Sequence, residues 1–257
     1  MKRSSRISVT SRPALLGGVV LLALTSASVA AADDGPGPFG VTAVTVATRH
    51  NARVGALFGA GRADKLPGGH FCTASVVHSP HGNLIVTAAH CVGGDDGGDL
   101  VFVPGYRNGQ APYGVWKVGK RFLPDGWSKG QSEDSDVAFA YVNDLGGRQL
   151  EDVVGANRFA TGMATGATAV TVTGYPDEKE VPISCTNKPA PHSKTQQRIY
   201  CPEFTAGTSG SPWVNGDREV VGVLGGHEQG GETPDTSYSV VLGREAAELY
   251  KDALSGP

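Results

Sequence analysis

Three short blocks in this 257-residue chain hold side chains that could act on one another. The first is Leu84-Ile85-Val86-Thr87-Ala88-Ala89-His90-Cys91, an apolar strand that delivers a histidine with a cysteine beside it. A general base must be held in one orientation to be useful, and a disulfide next to it would help to hold it. The second is Ser135-Asp136-Val137-Ala138-Phe139-Ala140, an aspartate at the head of a strand. A carboxylate that close to a core needs a donor partner, and His90 is an obvious one, because a buried carboxylate fixes the tautomer of an imidazole. Glu133 and Asp134 compete for that role; the strand that begins at Val137 favours Asp136. The third is Ala206-Gly207-Thr208-Ser209-Gly210-Ser211-Pro212-Trp213. A serine between glycines sits on a tight turn where backbone N–H groups converge. Such groups stabilise an oxyanion, and Gly207 and Ser209 would supply them. Ser211 is a competing hydroxyl, but it runs directly into Pro212 and strand residues. Singly, His90 reads as a structural hydrogen-bonder and residues 206–211 as an ordinary Gly/Ser loop. Together the blocks supply a base, its orienting acid and a hydroxyl for nucleophilic acyl transfer.

The elements that must position these residues read as β. Candidate strands are 54–58, 71–78, 83–87, 100–104, 114–122, 137–142, 168–175, 181–185, 197–201, 211–214, 220–225 and 237–241, short, Val-rich and separated by Gly, Pro, Asp and Asn turns. Residues 41–50 read as a further short strand or as part of a pro-segment. Asn215-Gly216-Asp217 is a hairpin signal. Helical periodicity is confined to 244–254, where Ala246, Leu249, Tyr250 and Ala253 fall on one face. There is no βαβ pattern, which excludes a doubly wound sheet. The turn-rich stretch 143–149 is the best division between two β units. The 37 glycines and 16 prolines, with 39% hydrophobic residues, fit many turns between many strands rather than disorder.

The first thirty residues read as a secretory signal. Lys2, Arg3, Arg6 and Arg12 are followed by an apolar run from Ala14 to Leu24 and by small residues from Ser26 to Ala32. The run is too short for a spanning helix, which needs about 20 apolar residues. The formal net charge of −3, without a basic stripe, speaks against nucleic acid as a partner. Cys72, Cys91, Cys185 and Cys201 form an even set in an exported chain and imply two disulfides. Three pairings are available, and the sequential one closes two local loops. No close Cys pair of zinc-site spacing occurs.

Thr87-Ala88-Ala89-His90-Cys91, Asp136-Val137-Ala138 and Gly207-Thr208-Ser209-Gly210-Ser211-Pro212 resemble the three signatures of the trypsin/chymotrypsin superfamily, in that family's order. The resemblance covers roughly residues 54–254 and is strongest to bacterial secreted members, including the glutamyl-endopeptidase-like branch. It implies an all-β fold of two six-stranded antiparallel β-barrels with a C-terminal α-helix packed on the second. The implied organisation is a signal peptide at 1–30, an N-terminal segment at 31–53 that is a candidate pro-segment, a first barrel at 54–145, a second at 146–243, and a helix and tail at 244–257. It also implies a monomeric serine endopeptidase, secreted, acting on polypeptides, with no cofactor, metal or membrane partner. His90, Asp136 and Ser209 match the family's triad and Gly207 its oxyanion position. Cys72 and Cys91 match its disulfide beside the histidine.

Two departures matter. Thr208 stands where many members carry an aspartate that pairs with the activated N-terminus, and no Ile-Val-Gly-Gly start is present. The resemblance therefore does not carry the family's N-terminal activation. The specificity pocket is expected from Glu203–Ala206 and Val223–His227, where Glu203 favours a basic side chain and His227 an acidic one. Lys188, His192, Lys194 and Arg198, between Cys185 and Cys201, read as a solvated loop. The signal reading predicts a mature protein in the culture medium that starts after Ala30 or Ala32. N-terminal sequencing checks this, and a start upstream of Ala27 contradicts it.

Overall fold

The computed structural model describes residues 38–94 and 98–256. The signal reading and the tail end at Pro257 fall outside the described residues. Among the described residues there are fifteen strands: β1 Thr42–Val44, β2 Val54–Gly59, β3 His70–Val77, β4 Leu84–Thr87, β5 Leu100–Pro104, β6 Trp116–Phe122, β7 Ala138–Val142, β8 Arg158–Phe159, β9 Val170–Gly174, β10 Ile183–Asn187, β11 Ala190–Pro191, β12 Gln196–Tyr200, β13 Pro212–Asn215, β14 Glu219–Val223 and β15 Thr236–Val240. The twelve strands expected from residue 54 onward all form, with ends shifted by a few residues. β1 lies within residues 41–50, read from the sequence as a short strand or part of a pro-segment; β8 and β11 are two residues long and leave no alternation to read.

Strands β2-β3-β4-β7-β6-β5 close into a barrel. Leu57, Ala74, Val76, Ile85, Phe102, Trp116 and Ala140 fill it. β4 and β7 are buried on both faces, which explains their continuous apolar runs. Leu84, Val86, Phe139 and Tyr141 turn outward against Val220, Val223 and Val240 of the second half.

The second half is not a closed barrel, contrary to the sequence expectation. Its strands form an open sheet, β1-β10-β9-β13-β14-β8, and a separate sheet, β11-β12-β15. β14 and β15 come together where a ladder would close, but a side chain intervenes. The Val223 N–H donates to Ser239 Oγ, which donates in turn to the Val240 carbonyl. β14 instead takes β8 as a parallel neighbour, and β1 pairs with β10 at the opposite edge.

Among the described residues there are four α-helices rather than a single C-terminal one: α1 Ala89–Val92, α2 Asp125–Gly130, α3 Leu150–Val154 and α4 Arg244–Leu254. The first three span four to six residues, too few for a 3.6-residue period to register. α4 buries Ala246, Leu249 and Ala253. It packs on β6 and β7 of the closed barrel as well as on the second half. The Tyr141 hydroxyl donates to the Ala253 carbonyl at 2.9 Å, and the Tyr250 hydroxyl to the His78 carbonyl at 2.6 Å.

Disulfides join Cys72 to Cys91 and Cys185 to Cys201, the sequential pairing. The first closes a 19-residue separation and ties β3 to α1. Replacing both Cys72 and Cys91 with alanine is expected to cost about 3 kcal/mol of stability by loop-closure entropy. Urea denaturation measures it; a midpoint equal to wild type would contradict the account.

Candidate active site

The register of one strand pair places two of the three candidate residues. β4 runs antiparallel to β7 with Thr87 opposite Ala138. His90 lies three residues beyond the end of β4, in the first turn of α1, and Asp136 two residues before β7. Both therefore emerge at the same end of the barrel. A 3₁₀ turn, Glu133–Ser135, delivers Asp136, and the Val137 N–H closes back onto the Ser135 carbonyl at 2.9 Å.

Asp136 is 1% exposed. His90 Nδ1 lies 2.7 Å from Asp136 Oδ2, the His90 backbone N–H donates to Oδ1 at 2.9 Å, and the Gly226 N–H donates to Oδ2 at 2.8 Å. With a carboxylate acceptor on Nδ1, that nitrogen carries the proton and Nε2 presents its lone pair. Trp127, on α2, flanks His90 at a ring-centroid distance of 6.3 Å. A Cβ on Gly225 would come within 2.8 Å of Asp136 Oδ2, so this position leaves the carboxylate its space.

The competing carboxylates are engaged elsewhere. Asp134 Oδ1 accepts from Thr195 Oγ1 at 2.8 Å and from Gln196 Nε2 at 3.0 Å. Glu133 accepts the Glu228 N–H at 3.0 Å.

The Gly/Ser loop is braced from within and from the barrel. Thr208, fully buried, donates its hydroxyl to the Thr205 carbonyl at 2.6 Å, so the position that departs from the family pattern is satisfied locally. Ser211 is also buried and donates to the Thr208 carbonyl at 2.7 Å. That removes Ser211 from contention as a nucleophile. Ser209 is half-buried and reaches solvent. Thr73 of β3 ties the loop to the barrel: its N–H donates to the Ser209 carbonyl at 2.7 Å and its hydroxyl to the Gly207 carbonyl at 3.1 Å. Gly207 is at φ +88°, and a Cβ there would meet the Asp177 nitrogen at 2.5 Å and the Tyr175 carbonyl at 2.6 Å. The Tyr175 side chain turns away into the cluster of Phe58 and Tyr106, where burial pushes its phenol well above the ordinary range. Among the described residues, no acceptor takes the N–H of Gly207 or of Ser209.

The Ser209 hydroxyl donates to the Gln229 carbonyl at 3.4 Å, and no hydrogen bond joins it to His90. The structure thus brings His90 and Asp136 into direct contact and leaves Ser209 bonded to a different segment. Glu203 pairs with Lys179 at 2.5 Å, and the His227 ring lies 3.5 Å from carboxylates of both Glu133 and Glu228. Neither side chain offers an unpaired charge to a substrate. His192, read from sequence as part of a solvated loop, stacks on His227 with centroids 4.7 Å apart. Cys72, His90 and Cys91 cluster, but both sulfurs belong to the disulfide and the group is not a metal site.

Sequence reasoning missed Thr73 and the role of the Gly226 N–H. A threonine within a buried strand carries no local signal. Gly225 and Gly226 fall within the stretch Val223–His227 expected to line the specificity pocket, which gives no hint of a bond to Asp136.

Residues 72–223 match the family described as trypsin-like peptidase domain. A protease, Anisep, from Arthrobacter nicotinovorans superposes with a TM-score of 0.71 at 28% identity, covering 84% of this chain and 100% of that one. A thermostable serine protease, AL20, from an extremophilic microorganism gives a TM-score of 0.70 at 25% identity, covering 82% and 100%. A glutamyl endopeptidase of Bacillus licheniformis is 28% identical over 139 residues, which are 50% of this chain and 41% of that protein's length. The chain belongs to the trypsin-like peptidase domain family, within the trypsin-like serine protease superfamily and beside its bacterial glutamyl-endopeptidase-like members.

Proposed function

We propose that this protein is a trypsin-like serine endopeptidase that cleaves peptide bonds through an acyl-enzyme on Ser209. The observation that carries the reading is the His90–Asp136 contact: a histidine oriented at 2.7 Å by a carboxylate that is buried and held by two further N–H groups. A serine hydroxyl is a poor nucleophile at neutral pH and needs a neighbouring base. With Nδ1–H bound to Asp136, His90 Nε2 is the free base for the Ser209 proton. The proton then passes from Nε2 to the leaving amine, and water repeats the sequence on the ester. Asp136 remains ionised and stabilises the imidazolium. The unengaged N–H groups of Gly207 and Ser209 would bind the oxyanion, where charge develops only in the transition state. No cofactor enters this chemistry.

The same reading assigns residues 1–30 to a signal peptide and the mature protein to the extracellular side. The two disulfides support this, since such bonds persist in oxidising compartments. Among the described residues no helix is long and apolar enough to cross a membrane. The substrates are polypeptides, and the protein acts as a monomer.

Ser209→Ala, His90→Ala and Asp136→Asn are each expected to lower kcat about 10⁴-fold or more, with losses that do not add in double variants because the three act as a unit. Peptide hydrolysis with circular dichroism as a folding control tests this; full activity in Ser209→Ala would overturn the assignment. A second expectation concerns Gly207. Gly207→Ala places a Cβ against the backbone of Tyr175 and Asp177 and shifts the turn. Losing one oxyanion donor costs about 10²–10³ in kcat. Unchanged kcat in folded Gly207→Ala would remove this residue from the site.

A further inference from the structure

Residues 46–52, the strap between β1 and β2, line a cavity of about 350 Å³ that the proposed chemistry does not use. The loop between β5 and β6, from Gly105 to Tyr113, forms a second wall, and Tyr175 and Pro182 complete it. Sites for small molecules run from about 300 to 1,000 Å³, so one such ligand fits. The walls are largely apolar, with Ala52, Pro112, Tyr113 and Pro182 among them. Val46, which also lines the cavity, is 56% exposed, so the cavity opens to solvent beside it.

Two cations belong to these walls without a carboxylate between them. Arg107 is half-buried, and its guanidinium bonds a single acceptor among the described residues, the Thr45 carbonyl. A guanidinium is a fork of several donors, and most of this one is unused. Arg49 lines the same cavity, exposed, and forms no ion pair among the described residues. Glu180 meets the same loop, its carbonyl accepting the Asn108 N–H at 2.6 Å, but its carboxylate is taken by the Gly68 N–H at 2.7 Å and by the Tyr106 hydroxyl. A second observation concerns a buried donor. Tyr175 is fully buried, and its hydroxyl lies 3.5 Å from the acceptor it has, the Val54 carbonyl. A well-made bond of that kind is about 2.7–2.8 Å. The same carbonyl already accepts the Gly105 N–H at 2.9 Å, and Gly105 lines the cavity, so the hydroxyl end of Tyr175 is the end that meets it. Burial raises this phenol, and the Arg107 charge works against that, as a cation near the hydroxyl must.

We propose that this cavity binds a small monocarboxylic acid with an apolar body, its carboxylate between the Arg107 guanidinium and the Tyr175 hydroxyl and its hydrocarbon part against Ala52, Pro112 and Tyr113. The guanidinium fork suits a planar carboxylate, which takes two parallel N–H bonds and still accepts from a hydroxyl. An inorganic anion has no surface to bury against the apolar walls. A neutral hydrocarbon would cover the guanidinium and leave its donors unfilled, at the cost of desolvating a charge. The site does not depend on the reading of Ser209.

Isothermal titration calorimetry of the full chain with hydrocinnamate, hydrocinnamamide and inorganic phosphate tests the site. Hydrocinnamate is expected to bind saturably. The amide, of the same shape without the charge, and phosphate, with the charge but no apolar body, are each expected to bind about tenfold or more weakly. Arg107→Gln removes the charge and the fork, and with them the bond that holds the strap at Thr45. Tyr175→Phe leaves that bond in place and removes only the hydroxyl. Each is expected to weaken hydrocinnamate binding about tenfold with the circular dichroism spectrum unchanged. Weakening in either folded variant supports the site. Hydrocinnamate that does not bind saturably, amide or phosphate that binds as tightly, or an affinity unchanged in both variants overturns it.

Discussion

The buried carboxylate of Asp136 is the constraint around which the rest is arranged. Removing an ionised group from water costs several kcal/mol unless it is paired and hydrogen-bonded. Here both oxygens are used, Oδ1 by the His90 N–H and Oδ2 by His90 Nδ1 and the Gly226 N–H. Two of those donors come from the turn after β4 and one from the end of the second half's sheet. The charge is thus tolerated only when both halves are docked. Gly225 follows from the same demand, since a side chain there would collide with the carboxylate it must leave accessible.

A second tie brings the Ser209 loop to the same place. Thr73 uses its N–H, its hydroxyl and its carbonyl in one junction. The carbonyl accepts from Thr87 Oγ1 at 2.7 Å, at the end of the strand that leads to His90. The hydroxyl also accepts the Tyr175 N–H at 3.0 Å. Its neighbour Cys72 carries the disulfide to Cys91, next to His90. One strand residue and one covalent bond therefore fix the histidine turn and the serine turn relative to each other. Gly210 is required at the crossing, because a Cβ there would lie 2.0 Å from the Thr73 carbonyl.

The candidate residues were legible because their chemistry imposes local signatures. Ser209 has glycines beside it at 207 and 210, and the strand that leads to His90 is largely apolar because it is buried on both faces. The choice of Asp136 over Glu133 and Asp134 was legible for a simpler reason: only Asp136 abuts the strand. What the sequence could not give was closure. β14 and β15 meet through the Ser239 hydroxyl, which accepts the Val223 N–H, and through one backbone bond beside it, from the Gly225 N–H to the Tyr238 carbonyl, rather than through a ladder. The short helices α1 to α3 escaped because they are single turns set by neighbouring elements rather than by a periodic face. His192 escaped because its partner His227 is distant in sequence, and stacking leaves no trace in composition.

The two halves divide the labour unequally. His90 and Asp136 sit on a closed barrel whose strands all have neighbours on both sides, so their relative position is fixed by ladder register and a dry core. Ser209 and the segment facing it sit on loops of an open sheet, braced by single hydrogen bonds and glycine turns. The Ser209 loop is nonetheless tied to the closed barrel, through the Thr73 N–H to the Ser209 carbonyl and the Thr73 hydroxyl to the Gly207 carbonyl, so the two sides meet in one junction. The Gly226 N–H, bound to Asp136, joins the open sheet of the second half to the same carboxylate that orients His90 on the closed barrel.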